Sequence, residues 1–232
     1  MAIALSWSRI SDWQQCPRKF YLKYVAKQFP PEDSSKSIHL VKGAEQHKQL
    51  ENYVYAKLNK QDTSAMHFSP AVIDTLPLID NVIDKYTEVW PERQVAVTYD
   101  FKPTEWFGAD VAFRSIWDFS GINQAQAIII DWKTGKVQDY DEECGQLHLS
   151  GAMGNAVYGT PQIDIFYAFI EYKICKPSTP LRLTDNDFPH IRDFFRRIYD
   201  TVNQETTWLP TVNQYCNYCP ATKAQCQFSR KL

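Results

Sequence analysis

The chain has 232 residues, a formal net charge of −2, 44% apolar residues and 14% aromatic ones. That composition excludes a disordered chain, and no apolar run approaches the roughly eighteen residues a membrane span needs. Met1-Ala-Ile-Ala-Leu-Ser-Trp7 is no secretory leader, and six cysteines are too sparse for a disulfide scaffold, so the expectation is a cytoplasmic protein whose cysteines hold metal or fill a core.

Charge is unevenly spread. Residues 1–42 carry a net +4 and residues 190–232 a net +3, around a middle of net −9. Such a pattern suits termini that come together on a polyanion while central carboxylates bind a cation. Residues 6–26 predict a helix capped by Ser6 or Ser8 and interrupted or restarted at Pro17. Pro30-Pro31-Glu32-Asp33-Ser34-Ser35 reads as a loop. From Lys36 to Leu58, Leu40, Ala44, His47, Leu50 and Val54 recur at helical spacing, which sets His47 on or beside an apolar face. Residues 70–90 read as helix, with Pro77 a kink or early boundary. The period then changes, and Gln94–Phe101, Phe107–Phe119 and Ala125–Lys133 predict an antiparallel meander. Asp139–Val157 reads as helix, Ile163–Lys173 as strand and Asp185–Gln204 as helix, before a turn-rich, cysteine-bearing tail. This order predicts one mixed sheet covered by helices, an α/β fold.

The chemistry concentrates at Ile128-Ile129-Ile130-Asp131-Trp132-Lys133-Thr134-Gly135-Lys136. A buried strand would end there in a carboxylate and an ammonium two residues apart, on one face. Asp118 follows the apolar run Val111–Trp117, at hairpin distance from Asp131. Two carboxylates beside a lysine suit a hard divalent cation such as Mg²⁺ or Mn²⁺, with the lysine offsetting transition-state charge.

In these residues the chain resembles the PD-(D/E)XK nuclease superfamily, and within it the RecB-like branch. Asp118 resembles the first motif aspartate, Asp131–Lys136 the D-Y-K-T-G-K motif, Gly43-Ala44-Glu45-Gln46-His47 the G-x-x-x-H motif, and Gln146-Leu147 the following Q-L. Glu92 and Arg114 fall where members often carry Glu and Arg. The resemblance implies Mg²⁺ or Mn²⁺ held by His47, Asp118, Asp131 and the Trp132 carbonyl, with Lys133, Asp131, Asp118 and Gln146 catalytic. One departure is Ser150, which stands where members often have Tyr; Tyr158 is a spatial substitute to look for.

Cys216-x₂-Cys219-Pro220-x₅-Cys226 lacks a fourth ligand, and Cys16, before Pro17, is the natural candidate. Cys144 and Cys175 read as small buried thiols. The one-plus-three layout resembles the iron–sulfur nucleases of the branch, among them AddB and the CRISPR-adaptation nuclease. It implies a [4Fe–4S] cluster on Cys16, Cys216, Cys219 and Cys226, joining the N- and C-terminal segments; a Cys₄ zinc site is the physical alternative. Such a staple brings Arg9, Arg18, Lys19 and Lys23 beside Arg192, Arg196 and Arg197 at the rim of a channel, with Trp13 and Tyr21 available for stacking. Arg18, Lys19, Lys136, Arg196 and Arg197 are the candidate DNA contacts.

Together these imply a single restriction-endonuclease-like nuclease domain, 1–232, with 1–35 and 205–232 forming the cluster-binding part and 36–204 the nuclease core. The expected activity is a metal-dependent DNA exonuclease on single strands or ends, in a prokaryotic or phage-infected cell. Its partners would be DNA and a separate helicase, recombinase or CRISPR integrase. The rival readings are a spacer-end processing nuclease of CRISPR adaptation and a non-catalytic, cluster-stabilised DNA-binding module.

Overall fold

A computed structural model describes residues 2–30, 37–137 and 145–231. The chain divides into two compact units, Met1–Asp33 with Arg196–Leu232, and Ser34–Phe195.

The first unit pairs the two chain ends. Helix α1 (Trp7–Gln15) starts at Ser6, whose hydroxyl accepts from the Arg9 N–H at 3.4 Å. It stops at Cys16, which is extended because Pro17 follows, and Pro17 then opens α2 (Pro17–Phe20). A π-helical turn, Tyr21–Val25, continues from it. The C-terminal segment contributes a 3₁₀ turn, Gln214–Asn217. The ends are tied by hydrogen bonds from the Ile3 N–H to Asn203 Oδ1 (2.6 Å) and from Asn213 Nδ2 to the Gln15 carbonyl (2.9 Å), and by the Phe20 ring stacked at 5.8 Å on Trp208.

The second unit is a five-stranded mixed sheet in the order β1-β2-β3-β4-β5. Its strands are β1 (Glu88–Thr98), β2 (Val111–Ile122), β3 (Ala127–Lys133), β4 (Gln162–Phe169) and β5 (Ile174–Thr184). All neighbours run antiparallel except β3 and β4, which are parallel and connected through α5 (Gln146–Tyr158). Helices α3 (Ile38–Leu58) and α4 (Pro70–Lys85) precede the sheet, and α6 (Phe188–Gln204) follows it. Residues 188–195 of α6 fall in the second unit and 196–204 in the first.

Alternation along β3 assigns its two faces. Ile128, Ile130 and Trp132 join a core with Leu50, Tyr53 and Val54 of α3 and Val72, Ile79 and Val82 of α4. Each such side chain stabilises the fold by about 1.5–3 kcal/mol of burial. Ile129, Asp131 and Lys133 look the other way, toward α5. There Gly154 lets the helix come so close that a Cβ would meet the Ile129 Cδ1 at 2.8 Å. Tyr53 donates to Asp80 at 2.8 Å, and Lys57 pairs with the same carboxylate at 2.9 Å, locking α3 to α4.

Several predicted boundaries change. The predicted helix over 70–90 ends at Lys85, with Pro77 inside it, and Val89 and Trp90 belong to β1. Thr98 closes β1, because Phe101 turns the chain in a left-handed conformation. The predicted strand 163–173 stops at Phe169, and Ile174–Thr184 forms a fifth strand that the sequence reading passed over. Pro177 and Pro180 cannot donate to a ladder, and Leu183 is the one fully buried residue of β5, so it carries no apolar alternation to read. The predicted loop over 30–35 and helix over 139–157 lie partly outside the described residues, as does Cys144.

Candidate active site

The last β2–β3 pair at this end is Phe119 with Ile130. Asp118 and Asp131 therefore stand where the two strands part. On the other side of β2, Pro91 pairs with Phe119 and Arg93 with Trp117, which brings Glu92 level with Asp118. Glu92 takes a left-handed backbone conformation (φ 45°), unusual and costly for a residue with a Cβ. His47 arrives from α3.

His47, Glu92 and Asp118 offer one ligand atom each, all within 4.8 Å of one another. His47 Nδ1 is 3.4 Å from Asp118 Oδ1, and the Trp132 N–H donates to Asp118 Oδ2 at 2.6 Å. That backbone bond fixes the aspartate against the end of β3. The charges respond to one another. Burial lowers the affinity of His47 for a proton, but the hydrogen bond and charge of Asp118, with Glu92 and Asp131 behind it, outweigh burial and raise its pKa. Burial, then the neighbouring Asp118, raise the Glu92 carboxyl. A nitrogen and carboxylate oxygens gathered at this separation, with the repulsion between Glu92 and Asp118 only partly offset by His47, fit the donor set of a hard divalent cation.

Asp131 and Lys133 form the adjoining half. Lys133 Nζ lies 2.5 Å from Asp131 Oδ2. Gln146, first residue of α5, bridges the pair: its Nε2 donates to Asp131 Oδ1 at 2.7 Å, and its Oε1 accepts from Lys133 Nζ at 3.2 Å. The Asp131 carboxyl is pushed up to about 6, because burial outweighs the attraction of Lys133 and Asp118 adds repulsion.

Two residues complete the site that the motifs did not single out or only touched. Glu92 supplies the third ligand atom. Tyr167 of β4 lies opposite Asp131 in the parallel register; its ring is 4.7 Å from Lys133 Nζ and its hydroxyl 3.5 Å from Gln146 Oε1. Tyr158 packs elsewhere, 5.7 Å from Trp90 and 5.8 Å from Trp117, with Arg93 stacked above it. The parallel β3–β4 register, not local spacing, puts a tyrosine beside the lysine.

Gly43 explains how His47 reaches the strand ends. A Cβ at Gly43 would lie 2.6 Å from Thr134 Oγ1, so only glycine lets α3 rest on the turn after β3. His47 follows one helical turn later on the same side.

In the first unit, Cys16, Cys216, Cys219 and Cys226 all line one largely apolar cavity, and none forms a disulfide. The Thr211 N–H donates to Cys16 Sγ at 3.4 Å and the Asn213 N–H to Cys216 Sγ at 3.5 Å. Backbone donors thus reach two of the four sulfurs, and four cysteines on one cavity have the donor chemistry of a thiolate-held metal or cluster. Cys175 is in β5, half-buried against the sheet core, and burial raises its pKa. Of the candidate DNA contacts, Arg18 donates twice to the Gln225 carbonyl (2.9 and 2.8 Å) and Lys19 pairs with Asp12 at 2.6 Å. Both are thus engaged within the first unit. Arg196 is half-buried, and Lys136 and Arg197 are exposed. Among the described residues, no helix is long and apolar enough to cross a membrane.

No curated protein matches the chain. Among solved structures it is similar to a Eubacterium rectale protein provisionally named an exonuclease, at 15% identity and a TM-score of 0.49, covering 93% of this chain and 86% of that one. It is also similar to the protein SSO0001, at 14% identity and a TM-score of 0.35, covering 93% and 82%. Both likenesses are too distant to carry function. The profile of the PD-(D/E)XK nuclease superfamily matches residues 4–227. With nearly its whole length under that profile, the chain belongs to the PD-(D/E)XK nuclease superfamily.

Proposed function

We propose that this nuclease is a divalent-metal-dependent deoxyribonuclease that works from DNA ends, with a [4Fe–4S] cluster in its first unit. The observation that supports it best is the junction of two half-sites: His47, Glu92 and Asp118 gathered within 4.8 Å, beside Asp131 and Lys133 joined by an ion pair and bridged by Gln146. His47, Glu92 and Asp118 would hold Mg²⁺ or Mn²⁺, which when bound activates water and polarises the phosphodiester.

The protein's own groups divide the remaining work. Lys133 brings a cationic charge to the oxygens on which negative charge grows, and it does so from a fixed position. Gln146 holds its ammonium against Asp131 and keeps it from swinging into solvent. Asp131, raised toward neutrality, is ionised at pH 7 yet basic enough to accept a proton from the attacking water. Glu92 and Asp118 keep His47 oriented toward the same point.

The cluster reading rests on the four cysteines that share one cavity, and on the resemblance in their order along the chain. Two of the sulfurs, Cys16 Sγ and Cys216 Sγ, accept N–H bonds from Thr211 and Asn213, which would stabilise thiolates and tune a bound cluster.

End-labelled linear and circular single-stranded DNA, incubated with Mg²⁺ or Mn²⁺, test the activity. The expected result is loss of the linear strand with the circle intact. Cleavage of the circle would overturn the exonuclease reading, and inertness toward both would overturn the nuclease reading.

A further inference from the structure

The loop between β1 and β2 carries Trp106 and Phe107, and Phe107 is 86% exposed. An aromatic ring so fully in water earns nothing in the folded state unless something covers it. The guanidinium of Arg114 lies 5.5 Å from the Trp106 ring and 5.7 Å from that of Phe107. Arg114 makes no ion pair among the described residues, and its Nε is buried without an acceptor. A charge and a donor are thus left without an anion, next to two rings.

The loop is braced rather than slack. Thr104 Oγ1 donates to Asp110 Oδ1 at 2.8 Å, and the Gly108 N–H to the Glu105 carbonyl at 2.9 Å. The rings are held before any ligand arrives, which lowers the ordering cost of binding. Arg114 and Asp118 are both on β2, four residues apart, which by strand alternation puts them on the same face. At the rise of a strand the separation is about 13 Å. A chain whose reacting phosphate sits at Asp118 would pass this position with its next units.

We propose that Trp106, Phe107 and Arg114 form a platform for single-stranded DNA, on which a base stacks against the rings and a backbone phosphate pairs with Arg114. The proposal deepens the nuclease reading and rests on it for the identity of the polyanion. A base face matches exposed aromatics whatever its sequence, and a phosphate supplies the anion that Arg114 lacks. Paired bases present no such faces, so the platform selects unpaired strands.

The test measures binding of a fluorescein-labelled thymidine oligonucleotide in EDTA, where no cleavage interferes, and hydrolysis of bis(p-nitrophenyl) phosphate with Mn²⁺, a substrate too short to reach the loop. Phe107→Ala should weaken oligonucleotide binding about tenfold and leave hydrolysis of the small ester unchanged. Arg114→Gln should flatten the salt dependence by about 0.7 in the log–log slope, one phosphate contact. Affinity for a blunt duplex should not move. Phe107 is exposed, so its replacement leaves the core intact. Wild-type binding by Phe107→Ala, or equal loss on duplex and single strand, would overturn the platform. If wild-type protein hydrolyses neither this ester nor, with Mn²⁺, the oligonucleotide, the nuclease reading fails, while the binding comparison in EDTA still decides the platform.

Discussion

At the residue scale, Lys133 and Asp131 are a single device. Lys133→Ala removes the fixed cation and leaves Asp131 buried beside Asp118 with only the Gln146 amide and the charge of His47 to offset it; Asp131→Ala frees the lysine from its anchor. Each should lower the cleavage rate by about 10²–10³ at saturating metal, the usual worth of one preorganised electrostatic group. Circular dichroism should remain that of the wild type, and a variant with near-normal turnover would remove its residue from the reaction. His47 predicts a pH signature. Its folded pKa is raised above 6.5 by its carboxylate neighbours, so its contribution to metal-free stability is complete below that value and fades as pH climbs through the raised one. In EDTA, the melting-temperature advantage of wild type over His47→Ala should be larger at about pH 5.5 than at about pH 8.5. An advantage that grows with pH would mean the imidazole is held neutral. Much of this constellation is legible in the chain: the strand pattern points to Asp118, Asp131 and Lys133, and the family resemblance adds His47 and Gln146. Tyr167 is not, because nothing local links residue 167 to residue 133. Only the parallel register of β3 and β4 joins them, and register is a property of the sheet. Glu92 was half-visible, since a position within an edge strand does not reveal the left-handed turn of backbone that aims it.

At the scale of elements, α3 is placed by what it lacks. Alanine is the better helix former by about 1 kcal/mol, yet at position 43 its methyl would press on Thr134 Oγ1. Gly43→Ala should therefore alter the melting temperature little, while α3 retreats and carries His47 with it. An error near 1 Å in a reacting group costs about 10²-fold, and a drop of at least tenfold in cleavage is expected. Gly43→Ala combined with Thr134→Ala removes the obstructing hydroxyl and should recover most of the activity. Failure to recover would show that Gly43 matters for some other reason. The helices were easier to read than the strands for a physical reason. A helix face announces itself every three to four residues, as in α6, where Phe188, Ile191, Phe195, Ile198 and Val202 are buried. Strand β5, with two prolines and a single fully buried residue, announces nothing.

At the scale of the molecule, the first unit is assembled from segments that residues 34–195 keep apart in sequence. A cluster on Cys16 and Cys216 would close a loop of about 200 residues, and the entropic estimate for a crosslink of that span is about 5 kcal/mol. That matches the lower end of a whole domain's stability. Anaerobically purified protein should be brown with about four iron atoms per chain. Replacing Cys16, Cys216, Cys219 or Cys226 with Ala should lose colour and solubility, whereas Cys175→Ala should keep both. Colourless protein with one zinc would replace the cluster by a tetrahedral site. The prolines that hid β5 have a second effect. Both outer strands of the sheet are interrupted, β1 at Pro91 and β5 at Pro177 and Pro180, and the β4–β5 ladder itself shifts between Ile165 and Tyr167. A sheet rimmed in this way offers no continuous row of free N–H groups to a stranger's strand. Copies of this protein crowded together, or emerging side by side from ribosomes, are thereby kept from stitching their sheets into one another.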